Sequence, residues 1–449
     1  MPSRTASTPR IAVLADSDTR WKWGALTAYR IQSDIRLDGY LLRGRATPTV
    51  RQLDEVGARA DSLREIRGVD FVRSLDRTRY DVIVLACVGG AVQAMLHGLA
   101  RAWQQEAPAD AAGQRRPVVV TGYVGVVYEK LADGLLLRHG ADVVLANSRY
   151  DADRFRAVYR GVGADDHSVV ECALPFLGGA RYTGPGAESR PHTVVFAAQP
   201  SVPDSRADRT YLLRRAVEHA RRHPGREVLI KLRSKPGEHT THIEELPYQK
   251  LAAKVPGGMP ANCRLVYGNM GEVLDRTDLL VTVSSTAALE SLHRGIPTAV
   301  LTDLGVREVL GNHHFLGSGC LASWDELDAG HLPQPDREWL AAQGVAADGD
   351  YEQAFDAARA RVTELRAADR LPALAPYYTP RTAPGYLPGI LARHGLDPEG
   401  EPLPGHAEAP EQTGGLRRVA RETVREAARG AYRHGVQRVA PAIRRWGQL

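Results

Sequence analysis

The chain has 449 residues, of which 43% are apolar and 25% charged, and a net charge of +5. That is ordinary for a globular protein and too long for one hydrophobic core, since single cores rarely grow past about 250–300 residues, so two domains plus extras are expected. No segment approaches the roughly 20 apolar residues that span a bilayer, and the N-terminus MPSRTASTPR lacks an apolar signal core, which places the protein in the cytoplasm as an expectation.

Strand and helix patterns alternate along the body, the mark of α/β architecture with doubly wound parallel sheets. The first series runs from a strand at 11–15 through a helix near 23–32, a strand at 80–87, and a helix at 91–103. It continues with a strand at 117–121, a helix near 128–138, a strand at 142–146 and a helix at 150–158. Gly-rich residues 176–190 read as a linker. A second series follows: strands at 193–197, 227–232, 264–266, 278–283 and 298–301, with helices at 206–222, near 243–253 and at 287–293. The expected domains are therefore 1–180 and 190–370, two Rossmann-like units facing a central crevice. After a helix at 351–368 come a Pro/Gly-rich strap and linker over 371–414 and a basic helical tail over 415–449.

The most informative stretch is DLLVTVSSTAALESLHRGIPT, Asp278 to Thr298, where a buried strand runs through Ser284, Ser285 and Thr286 into a helix closed by Gly295 and Pro297. A helix start offers backbone N–H groups and the positive end of the dipole, so these hydroxyls and amides can hold a phosphate, with dipole help of roughly 0.3–2 kcal/mol per charge. Glu290 lies past the first turn and can reach a hydroxyl of the same ligand. Lys231, Arg233 and Lys235 alternate at a strand end, which predicts three cations on one side. His239 and His242 stand three apart beyond them. In the first series, Asp16 and Asp18 follow the first strand, and Tyr123, Glu129 and Asp133 lie in TGYVGVVYEKLADG; these acids are the candidates for a general base. Arg138, His139, Asn147 and Ser148 are further candidates at the same edge.

These residues resemble the GT-B glycosyltransferases, in particular the group containing bacterial sialyltransferases, polysialyltransferases, Kdo transferases and CDP-glycerol glycerophosphotransferases. The run from about Val228 to Thr302 is also similar to an actinobacterial family of uncharacterised glycosyltransferases. The resemblance implies that Ser284 and Ser285 hold the donor phosphate. It departs at 230–242, where the group's His-Pro pair is missing although Lys, Arg and two His remain, and at Tyr123 and Gly125, where no His stands. Ala132-Asp133-Gly134 echoes the acidic-Asp-Gly segment that supplies the base in related sialyltransferases. The expected activity is transfer from a nucleotide-sugar, CMP-linked acidic sugars being preferred for the positive charge near Arg233, to a glycan or lipid-linked acceptor. A glycerophosphate or polyol-phosphate transferase, a UDP-sugar epimerase and a non-catalytic scaffold are the alternatives.

No cofactor is expected, because the first βα loop, Asp16-Ser17-Asp18-Thr19-Arg20, lacks the dinucleotide fingerprint and no Walker A loop is present. No metal is expected either: Asp16-Ser17-Asp18 sits away from the donor side, and the four cysteines have no zinc spacing. Nine Arg against Glu422 and Glu426 after Leu416 make a local +7 and leave the body at −2, which argues against nucleic acid. Residues 416–446 instead read as a basic amphipathic helix suited to an anionic membrane surface.

Overall fold

The structure, a computed structural model, describes residues 8–44, 46–105, 116–126, 131–184, 190–235, 238, 244, 246–345 and 351–405. These divide into two compact units, one of residues up to Phe176 together with Ala342 onward, the other Leu177–Ala341.

The first unit is a parallel sheet of β1 (Arg10–Ala15), β2 (Arg36–Leu42), β3 (Ser62–Ile66), β4 (Val82–Ala86), β5 (Val118–Gly122), β6 (Val143–Ala146) and β7 (Val169–Glu171), in the order β3-β2-β1-β4-β5-β6-β7. Its helices are α1 (Asp18–Ile31), α2 (Val50–Val56), α3 (Gly68–Ser74), α4 (Gly89–Gln105), α5 (Leu131–Leu136) and α6 (Arg149–Gly161). The strands β1, β4, β5 and β6 are apolar and buried throughout their centres, as a sheet covered on both faces requires. One layer gathers Leu14, Phe71, Leu85, Leu96 and Phe155; the other gathers Val13, Trp21, Trp23, Val84 and Val120. Ser17 and Ser148 cap α1 and α6 by accepting the N–H groups of Arg20 and Asp151.

The second unit has β8 (His192–Ala197), β9 (Arg226–Lys231), β10 (Cys263–Val266), β11 (Leu279–Thr282), β12 (Thr298–Leu301) and β13 (Leu321–Ala322), ordered β10-β9-β8-β11-β12-β13 and parallel throughout. It carries α7 (Arg206–Arg222), α8 (Tyr248–Ala252), α9 (Met270–Leu274), α10 (Ala287–His293), α11 (Trp324–Asp328) and α12 (Arg337–Ala342). Its core is built on Val194, Phe196, Leu213, Ile230, Val281 and Trp324. Buried Asp278 braces the lower edge: it takes two bonds from Arg190 (2.6 and 2.8 Å), which holds its carboxyl below the ordinary range, and one from the Thr193 amide (2.8 Å).

The α/β class with two Rossmann-like units agrees with expectation, but the sequence reading passes over several elements. β2, α2, β3 and α3 go unexpected because Asp38 and Gly39 break the apolar run of β2 and four of the five β3 residues are exposed. Gly39 is a packing requirement: a Cβ there would sit 2.6 Å from Trp21 and 2.5 Å from Leu63. The return of the chain differs too. The helix expected at 351–368 as part of a second domain is α13 (Asp356–Ala367), preceded by a 3-10 turn, and it belongs to the first unit, where Phe355, Ala358 and Val362 join the layer of Val13 and Trp23. The described part of the strap, 371–405, also packs on the first unit: Leu374, Leu387, Ile390, Leu391 and Leu396, with α14 (Leu387–Ala392), fill the opposite layer.

Candidate functional site

In doubly wound sheets the crevice opens at the carboxyl ends of the strands, where the strand order reverses. In the first unit this point lies between β1 and β4; in the second it lies between β8 and β11. Both are bridged in the same way. Asp16, directly after β1, accepts the Val88 amide across the switch (2.9 Å) and Arg20 (3.0 Å). Gln199, two residues after β8, accepts the Ser284 amide (3.0 Å) and donates to the Ser284 hydroxyl (3.2 Å).

A buried arginine beside each switch gathers carbonyls that would otherwise lie unpaired. Arg138 donates to Gly122, Gly134 and Cys87 and lies 4.0 Å over the Tyr123 ring. Burial without a carboxylate partner pulls its pKa down. Arg209 donates to the carbonyls of Gln199, Pro200 and Pro203 and to Glu244, and lies 4.2 Å over the Tyr248 ring. Neither Gln199 nor Arg209 carries a local sequence signal, because both work through contacts with distant backbone.

On the second unit, α10 spans Ala287–His293 as expected, with Thr286 as N-cap and no side-chain capping bond. The amides at its entry are largely taken: Ser284 by Gln199, Ser285 by Thr282 (3.2 Å), and Ala287 by the Ser285 hydroxyl (3.3 Å). Ser284 is 1% exposed and its hydroxyl donates to the Leu310 carbonyl (2.5 Å), so it props up the helix entry from beneath. Ser285 and Thr286 are half-buried at the surface, and Glu290, expected past the first turn, is buried within it because the helix begins only at Ala287. The strand β9 ends at Lys231, so alternation beyond it no longer sets direction. Lys231 is buried and donates to the Leu232 carbonyl (2.9 Å); Arg233 is half-buried; Lys235 is exposed, 5.8 Å from the Tyr267 ring. His239 and His242 lie outside the described residues.

On the first unit, Asp18 is buried in the first turn of α1, where its charge meets the helix dipole favourably. Asp16 is committed to its brace. Asp133, half-exposed in the first turn of α5, accepts hydroxyls from Tyr378 (3.1 Å) and Tyr386 (3.0 and 3.2 Å); the carboxylate in turn pushes the Tyr378 phenol, already raised by burial, up to about 12. Glu129 lies outside the described residues. His139 packs edge-on to Tyr159 (5.1 Å between ring centroids), and burial lowers its pKa. Asn147 donates to the Tyr123 carbonyl (2.6 Å), and Ser148 caps α6. Asp151 went unexpected at this edge. It is buried, one carboxylate oxygen has no hydrogen-bond partner, and burial pushes its pKa up to about 6.

No protein of curated function matches the chain in sequence. Among solved structures it is similar to a putative UDP-N-acetylglucosamine 2-epimerase from Listeria monocytogenes, at a TM-score of 0.52 and 12% identity over 82% of this chain and 99% of that one. The S. aureus MnaA–UDP co-structure scores 0.49 at 11% identity, covering 82% of this chain and 99% of that one. Arabidopsis thaliana UGT89C1 complexed with UDP-L-rhamnose scores 0.44 at 12% identity, covering 87% and 100%. At such identities the Listeria likeness shows the fold, two Rossmann-like domains, and no more. The family described as "Putative glycosyltransferase (DUF6716)" matches residues 11–365, which takes in both sheets and stops within α13. The two parallel sheets give it the two-Rossmann fold of the Listeria neighbour, and the chain belongs to that glycosyltransferase family.

Proposed function

We propose that the protein moves a sugar from a nucleotide-sugar donor to a glycan or lipid-linked acceptor without a metal ion, and that the donor phosphate docks at the carboxyl edge of the second sheet. The observation that carries this reading is the flanking of one strand end by complementary groups. β9 and β11 lie on either side of β8 and end in the Lys231–Arg233 segment and the Ser284–Thr286 segment. Lys231 and Arg233 supply positive charge for a leaving phosphate, Ser285 and Thr286 supply hydroxyl donors, and Glu290 takes a hydroxyl of the donor. The positive charge at Arg233, with the resemblance of the Ser-Ser segment to the sialyltransferase group, favours a CMP-linked acidic sugar. Asp133 is the favoured general base: it is half-exposed and fixed by two tyrosines, whereas Asp16 is engaged as a brace and Asp18 is buried.

Thermal shift of the full chain against CMP, CDP, UDP and GDP, each with EDTA, tests the reading. One nucleotide should raise the melting temperature, and Ser285→Ala with Thr286→Val should weaken its binding about tenfold, the loss of one or two hydrogen bonds to a charged group. Stabilisation by none of the four, or unchanged affinity in the double variant, would sink the docking site; stabilisation only with added Mg²⁺ would sink the metal-free reading. The Listeria neighbour's description raises epimerisation as a second outcome. UDP-N-acetylglucosamine incubated without acceptor distinguishes it, since an epimerase yields a new sugar isomer and a transferase does not.

A further inference from the structure

At the other edge of the second sheet, His219 in the last turn of α7, His223 at its C-cap and Asp328 at the end of α11 present one ligand atom each, all within 4.8 Å of one another. We propose that these three side chains form a Zn(II)-class metal site that staples α7 to α11, separate from the transfer site and independent of the functional reading above.

The two imidazoles are one helical turn apart, with ring centroids 4.6 Å from each other. His219 is fully buried and its Nδ1 stands 2.6 Å from Asp328 Oδ1; His223 Nε2 stands 3.9 Å from the same oxygen. His223 Nε2 is buried, has no hydrogen-bond partner and lies within reach of Asp328 Oδ1, so it is placed to serve as a ligand atom. Asp328 is oriented from behind: its Oδ2 takes Arg222 (2.7 Å) and Arg215 (3.1 Å), which leaves Oδ1 facing the two rings. Ligating carboxylates are commonly oriented by such outer hydrogen bonds.

The arginines do not make the site repulsive. Arg215 also pairs with Asp325 (2.7 Å) and Glu218 (3.6 Å), so Arg215, Arg222 and Arg226 stand against Asp325, Asp328 and Glu218 in equal number. Zinc binds imidazole and carboxylate at about 2.0–2.2 Å, which puts tetrahedral ligands about 3.4 Å apart. The His219–Asp328 pair must therefore open slightly and His223, 25% exposed, must close; water would complete the tetrahedron.

One group competes. Arg226 Nη1 lies 3.2 Å from His219 Nε2, which in the metal-free protein accepts that bond while Nδ1–H donates to Asp328. Binding the metal through Nδ1 moves the ring proton to Nε2, so the imidazole stays neutral and Arg226 must turn away.

The experiment uses metal-stripped full-length protein, with Zn(II) followed by calorimetry and Co(II) by its visible d–d absorption. Wild type should take up one equivalent with tetrahedral Co(II) bands and melt higher with Zn(II). His223→Gln should weaken Zn(II) binding by about a hundredfold while melting like the metal-free wild type. Arg226→Met should bind more tightly than wild type, a gain that a purely structural ion-pair network does not produce. Absence of saturable binding by wild type, equal binding by His223→Gln, or weaker binding by Arg226→Met overturns the site. Nucleotide affinity is unaffected by any of these results, so failure here leaves the transfer reading intact.

Discussion

Asp16 and Gln199 hold matching places in their units, and their fates show how a candidate residue is sorted. An acid just after the first strand reads as a base, yet Asp16 already accepts from Val88 and Arg20. Asp133 and Asp16 should therefore part in a mutational test. Asp133→Asn should lower kcat by about a hundredfold or more with little change in melting temperature, the loss of general-base catalysis. Asp16→Asn should cost about 2 kcal/mol in urea unfolding, since charged hydrogen bonds contribute about 1.5–3 kcal/mol. If Asp133→Asn keeps full turnover while Asp16→Asn abolishes it in a folded protein, the assignments are reversed.

Asp151 makes a second prediction at this scale. Its carboxyl is raised from 3.8 to about 6 by burial, so the folded protein binds the proton more tightly than the unfolded chain between those pH values. Stability from this group is complete below pH 4 and is lost as pH rises through 6. Asp151→Asn should thus gain on wild type by about 2–3 kcal/mol between pH 4 and pH 8, read from unfolding at both ends. A pH-independent difference would show that the carboxyl is not buried as described.

Elements with a strong local signal were legible, and α10 spans the residues that the apolar pattern and the closing Gly295 and Pro297 predict. The capping of α7 by Ser205 has an equally local cause, a hydroxyl three residues before the amide it accepts. β3 was illegible because an exposed edge strand needs no apolar pattern when β2 supplies its pairing. Residues 371–405 of the strap follow the same logic. Pro and Gly suggest a loose linker, but Leu374, Leu387, Ile390 and Leu391 bury themselves in the first unit, each contributing about 1.5–3 kcal/mol. A chain ending at 365, where the family match stops, should accordingly lose the cooperative unfolding of the first unit, while one ending at 405 should melt like the full chain. Equal melting of the two truncations would refute the strap's role in the core.

For the whole molecule, the charge is split between a nearly neutral body and a +7 tail that lies outside the described residues. Among the described residues no helix is long and apolar enough to cross a membrane. The expectation of binding to an anionic surface rests on the sequence of residues 416–446, since a basic side chain near such a surface contributes about 1 kcal/mol before ordering costs. Full-length protein should co-sediment with phosphatidylserine vesicles at low salt and a chain ending at Gly414 should not; equal sedimentation discards the attachment.

Local chemistry was enough to read the alternation of strands and helices, the boundary of α10 and the charge of the tail, because each depends on residues within a few positions of one another. Which polar groups remain available to a ligand depended on the fold. Ser284 looks like a phosphate ligand beside Ser285, until Gln199 and the Leu310 carbonyl claim it from 85 and 26 residues away. Buried polar atoms must find partners, and the partners are chosen by the sheet order that brings β8 beside β11. No short window of sequence contains that neighbour.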